Sequence, residues 1–163
     1  MKRIELSKGK IAIIDDCDYQ KISQFNWYAS QEKNGLWYAR AYVETKEHKQ
    51  RKIRMHRLVL NMTREDRHQV DHRNHNGLDN RRCNLRIVSN AQNSMNRRKQ
   101  DGCTSKYKGV CWDADRNKWR AVIHLNNKKF NLGRFIDEVS AARAYNEKAR
   151  EMYGEYALFN VIN

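Results

Sequence analysis

Val70-Asp-His-Arg-Asn-His-Asn-Gly-Leu-Asp-Asn-Arg-Arg-Cys-Asn-Leu-Arg-Ile-Val-Ser-Asn-Ala-Gln-Asn93 is the stretch around which the chain organises itself. It opens on a strand-like piece, Gln69-Val-Asp-His72, and reaches a second, Leu85-Arg-Ile-Val88, after a loop rich in Asn, Gly, Asp and Arg. Such residues favour local turns, because their short polar side chains bond nearby backbone. Ser89 then stands where a helix N-cap belongs, and Gln92 three residues later completes a capping box. The pattern is strand, long loop, strand, helix. It sets Asp71 and His72 at the end of the first strand, Asn84 at the start of the second, and Asn93 on the helix.

Around this stretch the charge is lopsided. The 163 residues carry a formal +14, and residues 51–100 hold thirteen Lys/Arg against four Asp/Glu, which is +9 of that total. A field of that strength attracts a polyanion and makes binding salt-sensitive. Membrane binding would need an amphipathic helix with a continuous apolar face beside the cations, and the sequence shows none. No run approaches membrane-spanning length or resembles a signal peptide, so the expected compartment is a reducing cytosol. Cys17, Cys83, Cys103 and Cys111 form no C-x-x-C pair and read as ordinary thiols. His68, His72 and His75 follow a H-x3-H-x2-H spacing, but without a fourth ligand no zinc is expected.

The segment from about residue 54 to 98 resembles the HNH nuclease motif in the form found among phage and intron homing endonucleases. The resemblance rests on Asp71-His72, Asn84-Leu85 and Asn93 in register, with His56-Arg57-Leu58 as the usual approach. It implies a ββα-metal core that hydrolyses phosphodiester bonds of double-stranded DNA. The residue types suit that chemistry. A neutral imidazole is the usual base near neutral pH, so His72 is the candidate for activating water. A hard divalent cation prefers oxygen donors, which the Asp71 carboxylate and the Asn93 amide supply. Mg²⁺ is expected, with Mn²⁺ able to substitute and no small-molecule cofactor. Asn84 is expected to hold the His72 ring in orientation. Read singly, an Asp-His pair in a basic protein is a surface pair, and Asn84 a turn residue. Arg73, Arg81, Arg82, Arg86, Arg97 and Arg98 are the candidates for phosphate contacts.

Beyond a polar linker, 99–104, three strand patterns follow: Tyr107–Trp112, Lys118–Leu125 and Lys129–Phe135. Asp137 then caps a helix whose inner face carries Ala141, Ala142, Tyr145, Ala149 and Met152, with Gly154 as its stop. Ser105-Lys-Tyr-Lys-Gly-Val110, Lys118-Trp-Arg-Ala-Val-Ile123, Asn131-Leu-Gly-Arg-Phe135 and the Ala-Ala-x-Ala-Tyr helix look like the plant ethylene-response-factor (APETALA-type) DNA-binding domain. That family lays a three-stranded sheet in the major groove, which such a ribbon fits. The outward candidates are Lys108, Trp112, Arg116, Lys118, Arg120 and Lys129, while Trp119 reads as core or as contact. The plant domains carry more arginine where Cys111 and Asp113 sit, so no sequence preference carries over.

The N-terminal segment shows two strands, Lys10–Asp15 and Leu36–Val43, with Asn34-Gly35 as a turn and a short helix over Asp16–Gln24. The expectation is an α+β chain in four parts: an accessory sheet-bearing unit over 1–52, the nuclease core over 53–98, the linker, and the DNA reader over 105–160. Its function would be a site-directed endonuclease, monomeric or weakly dimeric, that nicks DNA because each chain holds one active site. Two rivals remain open: a DNA-binding regulator with a vestigial nuclease core, and a nonspecific nuclease.

Overall fold

A computed structural model describes residues 1–45, 48–97, 99, 104–126 and 128–162. They form a mixed α and β chain of small antiparallel sheets and short helices, divided into two compact units, Met1–Ser89 and Asn90–Asn163.

The first unit begins with a hairpin of β1 (Lys2–Glu5) and β2 (Ile11–Ile14). The expected helix over Asp16–Gln24 is a 3-10 turn at Asp16–Asp18 running into the short α1 (Tyr19–Ile22). The indole of Trp27 donates to the Ile22 carbonyl at 2.8 Å and ends it. A three-stranded sheet follows, ordered β3 (Tyr28–Gln31), β4 (Trp37–Glu44), β5 (Gln50–Arg54). Gly35, at φ +79, makes the turn between β3 and β4. Sequence patterning misses β3 and β5, because each turns only one clearly apolar residue, Ala29 or Ile53, toward the core. Straight after β5, α2 (Met55–Val59) buries Met55 and Val59 on one face.

The β6 (Gln69–His72) and β7 (Leu85–Val88) hairpin matches the sequence reading residue for residue. Its loop is not free. Ile13 of β2 donates to the Leu78 carbonyl at 2.8 Å and accepts from the Asn80 amide at 2.7 Å, which clips the loop onto the N-terminal hairpin. One apolar cluster runs through Leu6, Ile14, Ile22, Ala41, Met55, Val59 and Leu85. The N-terminal strands and the β6–β7 hairpin thus share a core, and this unit closes at Ser89.

The second unit holds α3 (Asn90–Asn96), a sheet ordered β10–β9–β8, and the long α4. The strands are β8 (Val110–Asp113), β9 (Lys118–Leu125) and β10 (Lys128–Phe135). The first starts later than its sequence pattern suggests, since Gly109 takes φ +75 and Tyr107 is buried before it. Asp137 caps α4 (Glu138–Tyr153), accepting from the Ser140 amide and hydroxyl at 2.7 Å each. Ala141, Ala142, Tyr145, Ala149 and Tyr153 are its buried stripe, and the alanines let the helix lie close to the sheet. Gly109 is where they meet most tightly: a Cβ there would lie 2.1 Å from the Tyr145 ring. Met95 of α3 packs on Ile123, Tyr145, Ala149 and Tyr153.

Candidate active site

Adjacent strand residues point to opposite faces, so Asp71 and His72 meet different surroundings. Opposite Asp71 in the ladder stands Arg86, whose Nε and Nη2 both donate to Asp71 Oδ2, at 2.8 and 2.7 Å. Both side chains are largely enclosed. Arg86, a phosphate candidate by sequence, is in this unit the partner of the carboxylate beside His72.

His72 is 5% exposed and lies among rings. Its imidazole meets His56 edge to face at a centroid distance of 5.1 Å, and Tyr38 at 5.8 Å. His72 Nε2 lies 3.3 Å from Asn80 Oδ1. The Asn80 amide nitrogen donates elsewhere, to the Leu78 carbonyl at 3.2 Å and the Met55 sulfur at 3.4 Å. The oxygen therefore faces the ring, and His72 must donate from Nε2. A neutral imidazole has one N–H and one lone pair, so Nδ1 is the basic nitrogen. Burial pushes the His72 pKa down, opposed by the Asn80 bond and by the Asp71 and Asp79 carboxylates. His56, fully enclosed, is held well below the usual imidazole range by burial and by His72 beside it. The same burial pushes the Tyr38 phenol up.

Asn84 is buried and bonds the loop, not the ring: its Oδ1 accepts from the Asn74 amide at 3.0 Å, and its Nδ2 donates to the Asp79 carbonyl at 2.7 Å. Its own carbonyl accepts from the Arg73 amide at 2.9 Å. These bonds draw residues 73–79 into a closed turn directly after His72. Asn84 thus shapes the backbone that carries His72, while Asn80 bonds the imidazole. Sequence reasoning passes over Asn80 and Tyr38, because neither stands at a motif position. Asn80 earns its role only when the loop doubles back onto Ile13.

Two more of the arginine candidates serve inner carboxylates. Arg81 forks onto Asp79 at 2.8 and 2.7 Å, and this holds the Asp79 carboxyl below its ordinary range. Arg82 forks onto buried Asp18 at 2.8 Å on each oxygen and also reaches the Val59 carbonyl. Arg73 is exposed, as is Arg97 in the second unit, and Arg98 lies outside the described residues.

Asn93 stands half-buried on α3 of the second unit. There Lys108 turns inward, its ammonium on the Met95 carbonyl, and burial lowers its pKa to about 8. Trp112 is partly exposed and packs edge to face on Trp119, which leans on the unit's core. Arg120 reaches the Cys111 sulfur at 3.5 Å, whereas Arg116, Lys118 and Lys129 are exposed.

Among the described residues no three His, Cys, Asp or Glu cluster to hold a metal ion. An ion bound at Asp71 would draw its other donors from amide oxygens, water and substrate, which is the donor chemistry of a hard divalent cation. No described helix is long and apolar enough to cross a membrane.

The chain is similar to an uncharacterized HNH endonuclease of Acanthamoeba polyphaga mimivirus, 28% identical over 160 residues that cover 96% of this chain and 78% of that one. It is also similar to protein 3.8 of Escherichia phage T7, 30% identical over 90 residues that cover 55% of this chain and 74% of the phage protein. No family model matches the chain, and no solved structure matches it significantly.

Proposed function

Since this chain belongs to the same family as protein 3.8 of phage T7, and is related over nearly its whole length to a mimivirus HNH endonuclease, we propose that it is an HNH-type endonuclease that hydrolyses double-stranded DNA. The observation that carries this reading is His72: a buried imidazole, its Nε2 proton spent on Asn80, its Nδ1 lone pair left basic, beside the Asp71 carboxylate.

In the reaction a water gives its proton to His72 Nδ1 as its oxygen attacks phosphorus, and the 3′ oxygen leaves. The imidazolium so formed is stabilised by the Asp71 and Asp79 carboxylates, both of which favour the charged ring. Asn80 keeps Nε2 as the donor, and Asn84 keeps the turn closed behind the ring. The Asp71 carboxylate would hold the divalent cation, Mg²⁺ or Mn²⁺. When bound, such an ion supplies positive charge to the scissile phosphate and the departing oxygen. The second unit is the DNA reader of this proposal, an APETALA-type sheet presenting Arg116, Lys118 and Lys129. With it the enzyme is site-directed and homing-like, and one site per chain makes it a nickase.

One observation favours the regulator reading: the Arg86 guanidinium already occupies Asp71 Oδ2. A paired measurement on His72→Ala separates the two, reading affinity by gel shift and single-turnover cleavage on one duplex at one salt concentration. A lost general base costs about 10²–10⁴ in rate, while affinity should hold, since it comes from many phosphate contacts. Wild type that binds but cuts with no metal establishes the regulator. His72→Ala that cuts like wild type removes the catalytic assignment.

A further inference from the structure

The nuclease reading gives no task to the face of the β3–β4–β5 sheet that points away from the core. Alternation puts Ala29, Ala39 and Ala41 inward and Tyr28, Tyr38, Arg40, Tyr42, Lys52 and Arg54 outward. That outward face is aromatic and cationic together. Tyr28 and Tyr42 stack with centroids 5.6 Å apart and planes within 18°, and Tyr42 remains 49% exposed. Lys52, its partner across the ladder, lies 5.5 Å from the Tyr42 ring centre.

Beside Tyr42 opens a shallow groove of about 770 Å³, whose lining includes Lys49, Arg51, Lys52 and Arg64 and no carboxylate. Among the described residues, Glu65 feels Arg51 from outside the groove lining, and Glu44 is paired with His48. Further along, Arg40 and Arg54 share the single carboxylate of Glu32, and the Arg40 Nε is buried with no partner. The stripe ends at Tyr38, whose ring touches His72. One face therefore runs from a cationic groove to the candidate base, inside one compact unit.

We infer that this outward face binds the sugar-phosphate backbone of the duplex flanking the bond that His72 attacks. The inference rests on the nuclease reading and adds a place on the substrate. Tyr42 and Tyr38 are four strand residues apart, roughly 13 Å at about 3.3 Å per residue. That is about four base pairs along a duplex axis. Charge selects the occupant: a lining with Arg51, Lys52 and Arg64 and no carboxylate among its residues suits a polyphosphate, and the Tyr42 ring offers an apolar surface to sugar or base.

The test uses the full chain in EDTA, so that binding is read without cutting. Anisotropy of a labelled random-sequence duplex is followed from about 50 to 200 mM salt, the range over which phosphate contacts are weighed. The variant is Lys52→Ala with Arg64→Ala, two groove cations whose side chains are exposed. Should it melt early, Lys52→Gln with Arg64→Gln replaces it. Loss of two phosphate contacts should lower the log–log salt slope by about 1.8 and weaken binding on the order of tenfold. Tyr42→Ala should weaken binding with the slope kept.

A double variant with the wild-type slope, in a protein that still cuts DNA with metal restored, overturns the inference and leaves the nuclease reading standing. Wild type that shows no salt-dependent affinity for duplex DNA takes both down. Substitutions that cost affinity only for an RNA duplex overturn the inference in favour of RNA.

Discussion

Replacing Asn80 by Asp swaps an amide for a carboxylate at the atom that accepts from His72 Nε2, 3.3 Å away. The new charge would sit about 4–5 Å from the ring centre, and at an effective dielectric near 20 the attraction to an imidazolium is about 3–4 kcal/mol. One pH unit corresponds to about 1.4 kcal/mol. Even after a large discount for the cost of burying the carboxylate, the His72 pKa should rise by at least about one unit. The sign follows directly: cleavage needs the neutral ring, so the acid limb of the pH–rate profile moves to higher pH. The assay is single-turnover nicking of a plasmid across pH at fixed metal and salt. Asn80→Ala is the control. It also drops the amide donors to the Leu78 carbonyl and the Met55 sulfur, a stability loss of about 1–3 kcal/mol, but it brings no charge and should not raise the limb. A folded Asn80→Asp enzyme whose acid limb stays in place would refute the assignment of His72 as base or of Asn80 as its holder.

The remaining expectations concern metal, acid and packing. Cleavage should vanish in EDTA and return with Mg²⁺ or Mn²⁺; full activity in EDTA, or rescue by zinc alone, removes the proposed oxygen-donor site. His56 and His72 are buried with lowered pKa values, so between those values and an unfolded value near 6.5 the unfolded chain binds more protons. Stability is then full above about pH 6.5 and falls below it, by about 1.4 kcal/mol per pH unit for each histidine. Urea titrations at stepped pH should show this slope, and His56→Phe should roughly halve it. Gly77→Ala would place a Cβ 2.4 Å from the Trp37 carbonyl and 2.6 Å from the Tyr38 ring. It should cost about 1–3 kcal/mol in thermal melting, and wild-type stability in that variant would mean the loop packs elsewhere.

How far the sequence speaks depends on the range of the interactions involved. The β6–β7 hairpin and the α4 cap are local: alternation, an Asp N-cap and a helical alanine stripe need no distant partner, and the structure has them where the pattern says. Asp71 and His72 fall at the strand end for the same reason. The partners of these groups are long-range. Arg82 reads as a phosphate ligand until Asp18, 64 residues earlier, takes its fork. Asn80 finds His72 only because Ile13 pins the loop. Composition reports the charge of a segment, but cannot say which cations are already spent on buried carboxylates.

Helix α3 has a bearing on ancestry and on engineering. Asn93 rides on a helix whose Met95 packs against the cluster of Ile123, Tyr145, Ala149 and Tyr153, and whose Met95 carbonyl receives the Lys108 ammonium. A recombination event in the polar stretch near residue 100 would tear that helix from its support, whereas a crossover between Ser89 and Asn90 would carry it intact. A lineage that trades modules at that seam passes on the helix and its support as a single heritable block, so Asn93 always travels with the cluster on which α3 packs.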